Sequence, residues 1–334
     1  MNERNSSGGQ EVEIDCAIDP VAGLTKMFVD IVQKSRIDAG QIPALRPVFL
    51  KLHGSAKGTL TLNQDAQTIL PPGLFPTSAL LVWIRFSSDT VPSEHGFKKT
   101  LGIGLKLFGI PGETLFGDPE DITLDLIFQN HHVFFLDTSS DMCAFTKAAV
   151  VDRNIQEYLD AHPITDQILK DMEKPEPSAL SAQYWTILPH TLGPKFAKFI
   201  LLPELTLDQL ADQPDDPDYL ARDLEERLAS GEARFTLNAE IYQGNGAPPD
   251  RMTEPWAEAE HPIYPIGTLR IDQQDVTEPD QAEFGENLSY NIWRVPPALQ
   301  PYGSIAEARR TVYAAAAHLR RSTNNVPETE PKEL

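Results

Sequence analysis

Polar and apolar residues alternate through Gly58, Thr59, Leu60, Thr61 and Leu62, and β-rich apolar runs recur at 80–86, 103–108, 122–128 and 133–136. Gly, Pro and Asn punctuate the gaps. The stretch 58–137 therefore predicts short strands in succession, forming an antiparallel sheet or barrel rather than βαβ units. An amphipathic helix is predicted over 27–36. From 139 to 230 the pattern is mainly helical, with helices over 155–161, 166–173 and 218–228, and strands follow at 233–242 and 266–271. The chain closes on one long helix. Ser304 and Glu307 have the spacing of a capping box, and the helical pattern runs on to Arg321. The predicted class is α+β, an antiparallel β-barrel core with inserted and C-terminal helices. A single domain over 16–321 is expected between flexible polar tails at 1–15 and 322–334.

Charge narrows the function. Lys and Arg number 28 against 49 Asp and Glu, a net charge of -21 that repels nucleic acid and anionic lipid. A main role in binding DNA or RNA is excluded on that ground. Apolar runs such as 79–84 are too short to span a membrane. The polar N-terminus lacks the apolar region of a signal peptide. The two cysteines, Cys16 and Cys143, lie far apart in sequence, so no disulfide framework or thiolate cluster is expected and a reducing compartment is the default. The expectation is a cytoplasmic protein. Its oligomeric state is left open, a homo-oligomer included.

The closing helix carries the candidate chemistry. Arg309, Tyr313 and Arg320 stand at i, i+4 and i+11, within about 40° of one another and roughly 16 Å along the axis. Small residues 314–317 would let a flat ligand approach the backbone. A phenol, with a reference pKa of about 10, is a poor metal ligand at neutral pH. A neighbouring guanidinium favours its anion without giving up a proton of its own. Tyrosinate is one of the few axial ligands of haem iron. Alone, this spacing fits a surface Arg-Tyr-Arg stripe better than a metal site.

Four collinear segments change that reading. Val82-Trp83-Ile84-Arg85-Phe86-Ser87-Ser88 resembles the V-R-F-S-T strand of haem catalases, and Gly102-Ile103-Gly104-Leu105-Lys106-Leu107-Phe108 their R-G-F-A-V-K-F strand. Asn130-His131-His132-Val133-Phe134-Phe135 is similar to their N-x-P-V-F-F segment. Glu286-Asn287-Leu288-Ser289-Tyr290-Asn291, with Arg309 through Tyr313 to Arg320, resembles the ending of small catalase-like bacterial proteins. The resemblance covers 46–320 and implies a barrel of catalase type, haem b with its iron, and a peroxide or organic hydroperoxide as substrate. It implies Tyr313 as metal ligand, Arg309 as the guanidinium that polarises it, and Arg46, Arg85 and Arg320 as partners of the haem propionates. Asn130 matches the distal asparagine that orients peroxide, and Ser87 the serine that braces the distal histidine.

The distal side departs from the family. Catalases carry R-x-x-H-A-K-G, whereas here Arg46-Pro47-Val48-Phe49-Leu50-Lys51-Leu52-His53-Gly54 puts Phe49 at the histidine's place. Peroxide cleavage calls for a base, which Phe49 is not; His53 could substitute if the loop bends toward the site. The resemblance then implies an apolar pocket suited to a bulky hydroperoxide, fatty-acid hydroperoxides included, rather than rapid disproportionation of hydrogen peroxide. Two other classes remain open: a haem-binding or haem-sensing protein without the chemistry, and a binder of something other than haem on the same barrel. Three motifs carry less. Residues 54–59 have glycines without phosphate-loop order and are expected to turn, and Gly102 and Gly104 lack the third glycine of a dinucleotide site. His131 and His132, as strand neighbours, are expected to face opposite ways.

Overall fold

The computed structural model describes residues 14–332 apart from 76–78, 111, 119–120, 245 and 257–259. Among the described residues nine strands form one antiparallel sheet: β1 (Lys51–Leu62), β2 (Ala79–Ser88), β3 (Leu101–Phe108), β4 (Thr123–Gln129), β5 (Tyr184–Trp185), β6 (His190–Leu192), β7 (Lys195–Pro203), β8 (Ala233–Ile241) and β9 (Ile263–Ile271). The order runs β5-β4-β3-β2-β1-β9-β8-β7-β6, and β5 pairs with β7 as well as β4. Eight strands thereby close into a barrel with β6 appended, which removes the open edges.

Alternation along the strands sorts the side chains. Val82, Ile84 and Phe86 of β2 and Ile103, Leu105 and Leu107 of β3 join the main apolar core. Arg85 and Ser87, with Gly104 and Gly102 directly opposite on β3, belong to the other face. That face is covered too, so these strands lack the clean apolar-polar alternation of a sheet with one wet side.

Several expectations change. The apolar run 133–136 is not a strand: Val133, Phe134, Phe135 and Leu136 pack with Trp293 and Ile305 in a second core cluster. Residues 54–59 do not turn but form the middle of β1, where a Cβ on Gly58 would collide with the Arg270 carbonyl of β9. Strand β7 lies within the stretch expected to be helical. Its middle is buried on both faces and, Lys198 apart, apolar, a pattern that periodicity alone does not separate from helix. The first helical run extends over 20–38, with a π-wound middle (Lys26–Gln33), and helices Ser139–Val150 and Pro279–Asn287 join those expected.

The closing helix runs Ser304–Asn324, three residues past the expected end. It has no capping box. Gly303 occupies the cap position, and the Ser304 hydroxyl instead accepts the Ser139 N–H at 3.0 Å, tying two helices together.

Cys16 and Cys143, 127 residues apart, form a disulfide with their Cα atoms 5.4 Å apart. Distance along the chain does not measure distance in the fold. The bond pins the first helical run beside Ser139–Val150. A persisting disulfide belongs to an oxidising compartment, so the cysteines no longer argue for a reducing one. Among the described residues no helix is long and apolar enough to cross a membrane.

The expected C-terminal tail is also partly fixed, whereas 1–13 and 333–334 lie outside the described residues. Glu330 is buried and meets Lys106 at 2.6 Å, Arg294 at 3.2 Å and Arg321 at 3.3 Å. Lys106 also pairs with Asp125 at 2.6 Å, and Arg294 reaches the same carboxylate. Such a network is stable only while every charge has its partner. Asp125→Ala leaves the buried Lys106 and Arg294 to share the Glu330 carboxylate, one positive charge uncompensated, and should cost about 3–5 kcal/mol in urea unfolding. Asp38→Ala, at an exposed helix pair with Lys34, should cost under about 1 kcal/mol.

Candidate functional site

A cavity of about 250 Å³ lies between the barrel's outer wall and the closing helix. The helix presents Ile305, Ala308, Arg309, Val312, Tyr313, Ala316, Ala317 and Arg320 to it, a stripe at spacings of three and four. The wall supplies Arg85 and Ser87 from β2 and Gly102 and Gly104 from β3. Arg46 and Phe49 enter from the segment before β1. The cavity thus gathers Arg46, Arg85, Arg309, Tyr313 and Arg320, the five residues expected to hold a cofactor, together with Phe49.

Two glycines make room for rings. A Cβ on Gly102 would lie 2.8 Å from the Phe49 ring, and one on Gly104 would lie 3.1 Å from the Tyr290 ring. Gly102 and Gly104, with no dinucleotide role, are where aromatic faces press on the wall. Phe49 itself has a left-handed backbone, φ 52°. Its carbonyl accepts from Arg85 at 3.1 Å and its N–H donates to Asp89 Oδ1 at 3.3 Å.

Arginines gather at one end. Arg46 and Arg85 both pair with Glu286, the latter at 3.1 Å. Arg320, fully buried, donates to the carbonyls of Glu286 and Leu288 at 2.7 and 2.9 Å. Burial works against the Glu286 charge, but Arg46, Arg85 and Arg320 outweigh it and hold its carboxyl below the usual range. Burial lowers the Arg320 guanidinium to about 10 despite Glu286. Three guanidinium groups face one carboxylate, leaving an excess of two positive charges in a desolvated place. The buried Tyr290 hydroxyl has no hydrogen-bond partner among the described residues, and Tyr290 lines the same cavity. A flat dianion with a large apolar body would balance that charge and fill the space. Haem, with its two propionates, fits this donor set.

The Arg309 guanidinium carbon lies 5.9 Å from the Tyr313 ring centre and 5.3 Å from that of Phe134. Arg309 therefore sits beside the phenol, as the helical spacing predicts.

Of the remaining expected site residues, His53 and Asn130 are elsewhere. His53 does not line the cavity; its Nε2 lies 3.0 Å from the hydroxyl of Ser88, which alternates with Ser87 onto the opposite face of β2. Burial first, and the charges of Lys51 and Arg85 next, lower its imidazole to about 3, so it is neutral at working pH. The bend that would bring it to the site is not made, because β1 begins at Lys51 and locks it into the wall. Asn130 does not line the cavity either: its Oδ1 accepts from Leu101 N–H at 2.8 Å and its Nδ2 donates to Glu176 at 3.1 Å. Ser87 does line it, donating to the Gly102 carbonyl at 3.4 Å, with no imidazole to brace. His131 and His132 are not strand neighbours facing apart, since the segment is irregular and their ring centres lie 4.9 Å from each other. Among the described residues no three His, Cys, Asp or Glu side chains are grouped to hold a metal ion.

Glu286 and Asp89 were missed as site residues. The signal for Asp89 was present, since Arg85, Ser87 and Asp89 are alternate residues and all three line the cavity. Glu286 stood in the resembling segment, but its meeting with Arg46 spans 240 residues and no local pattern announces it.

The protein thus combines a closed antiparallel barrel with an Arg- and Tyr-lined cavity between its outer wall and a closing helix. The chain shares the fold of solved catalases, and no protein-family model matches it. It is 23% identical over 298 residues to a catalase-related peroxidase of Mycolicibacterium paratuberculosis, covering 82% of this chain and 89% of that protein. A fungal catalase superposes with a TM-score of 0.71 at 15% identity, covering 88% of this chain and 63% of that one. Catalase A of Saccharomyces cerevisiae gives 0.72 at 15% identity, covering 88% and 65%. A bacterial catalase gives 0.71 at 14%, covering 91% and 64%. The chain spans just under two thirds of these catalases, and at such identity the likeness is one of fold.

Proposed function

We propose that the chain is a haem-dependent oxidoreductase that acts on a peroxide, with an organic hydroperoxide favoured over hydrogen peroxide. The observation that carries this reading is the convergence of Arg46, Arg85, Arg309, Tyr313 and Arg320 on one cavity with two positive charges in excess. Arg46, Arg85 and Arg320 would hold the propionates of haem b, bound without thioether links because both cysteines are tied in a disulfide. Tyr313 would ligate the iron, with the Arg309 guanidinium beside its ring. When bound, haem supplies the redox chemistry that splits an O–O bond. The chain's own work is to seat that group and exclude water with the apolar wall of Phe49, Ile127, Phe134 and Met172. That wall favours a bulky substrate, fatty-acid hydroperoxides among them. Cytoplasmic placement and self-association are not needed by this reading.

Haem titrated into the purified protein should give a saturating Soret band at one haem per chain, with a high-spin ferric tyrosinate spectrum. A Soret that never departs from free haem would overturn the reading and leave a binder of something else. A second reading, a haem binder or sensor without the chemistry, is favoured by the places of His53 and Asn130 outside the cavity. Rapid mixing of the haem-loaded protein with a peracid separates the two. Absorbance change beyond slow bleaching supports the enzyme, and a silent Soret supports the binder.

A further inference from the structure

The titratable side chains that line the cavity are few. Among the described residues they are Arg46, Arg85, Arg309 and Arg320, Tyr290 and Tyr313, and Asp89. The arginines keep their protons. Burial first raises the Tyr290 phenol, so it stays neutral, and Tyr313 is the proposed iron ligand. One side chain is left that can stand unprotonated and free of the iron near neutral pH.

Asp89 follows β2 directly and continues the alternation of Arg85 and Ser87. Its N–H donates to the Thr100 carbonyl at 2.9 Å, which fixes the backbone against the start of β3. Its Oδ1 accepts the Phe49 N–H, so the carboxylate is anchored to the residue at the distal histidine's position. It makes no ion pair among the described residues; Lys99 and Arg36 act on it only across space. Asp89 is exposed at the rim of the cavity, while the protein around its carboxyl partly desolvates it. That desolvation raises its carboxyl above the usual range, against the Phe49 N–H, Lys99 and Arg36, which all pull it down.

We propose that Asp89 is the base of this cavity, taking the proton of an incoming hydroperoxide in place of an imidazole. The step is a proton transfer alone. The O–H bond of the hydroperoxide breaks, an O–H bond forms on the Asp89 carboxylate, and the electron pair stays on the hydroperoxide as its anion. No electrons change hands. Phe49 then has a stated part: its backbone holds the carboxylate, while its ring occupies the space over Gly102 and bars a second polar group. The proposal rests on the reading of the cavity as a haem site.

Hydrogen cyanide tests it without turnover, because it reaches ferric haem as a neutral weak acid and binds as the anion. The haem-loaded protein is mixed with cyanide across pH 4 to 8 and followed at the Soret band. The wild-type association rate should rise with pH through the Asp89 titration, since the base form lies above its pKa, and then level off. Asp89→Asn keeps the acceptor for Phe49 N–H and should be slower by about 10²-fold, with no rise over that interval. Asp89→Glu should regain part of the rate and the pH dependence. Equal rates and equal pH profiles for wild type and Asp89→Asn, both with an intact Soret, overturn the base assignment alone. Failure of the wild type to develop a bound-haem Soret overturns the haem reading, and the assignment falls with it.

Discussion

Tyr313→Phe should abolish the high-spin ferric tyrosinate spectrum and lower hydroperoxide consumption by about 10³-fold, roughly 4 kcal/mol of barrier. The substitution removes one oxygen. The ring stays in its half-buried place beside Arg309, on a helix whose cap, length and packing do not involve the hydroxyl. Far-UV circular dichroism and unfolding should therefore be unchanged, which separates loss of the ligand from loss of the fold. Haem affinity should fall less than activity, because Arg46, Arg85 and Arg320 remain to hold the propionates. The measurement is a haem titration beside a hydroperoxide assay on both proteins. An unaltered spectrum in the variant would place the axial ligand elsewhere and remove the main support for the helix as the proximal wall.

Phe49→His should work in the opposite direction. Wild-type disproportionation of hydrogen peroxide is expected to be slow, because among the described residues no imidazole lines the cavity: Phe49 stands at the distal position and His53 faces Ser88. Histidine at 49 would place a base beside Ser87, and general acid–base catalysis of this kind contributes about 10²–10⁴-fold. The backbone permits it, since φ is 52° there and His tolerates the left-handed region better than bulky residues do. The smaller ring also relieves the close approach to Gly102. Oxygen evolution from hydrogen peroxide should rise by about 10²-fold or more in the haem-loaded variant. No gain, with the Soret intact, would mean that position 49 is not over the reacting oxygen, and the apolar-pocket account of substrate preference would go with it.

Comparing these sites with the chain shows where local pattern suffices. Strands β2, β3, β4, β8 and β9 and the closing helix were legible because each is long, regular and flanked by turn residues. The helix's cavity-facing stripe follows directly from its 3.6-residue period. The same reasoning failed at 133–136 and at β7, where burial on both sides erases the periodicity that distinguishes strand, helix and packed loop. It failed again at Ser304, whose hydroxyl was claimed by Ser139 across the fold rather than by its own helix.

The sequence by itself determined that this chain builds an α+β barrel with a terminal Arg-Tyr-Arg helix, since strand alternation and helical period are properties of consecutive residues. It also determined that position 49 is not histidine. Only the tertiary structure decided which polar groups share the cavity. His53 and Asn130 face away because a strand register and two hydrogen bonds hold them. Asp89 enters because β2 ends at the cavity's rim, and Glu286 meets the lining residues Arg46 and Arg85 because the helix Pro279–Asn287 ends beside them. Cys16 meets Cys143, and Glu330 meets Lys106, for the same reason. Such meetings join residues far apart in the chain, and their energy lies in desolvation and charge pairing that exist only once the chain is folded.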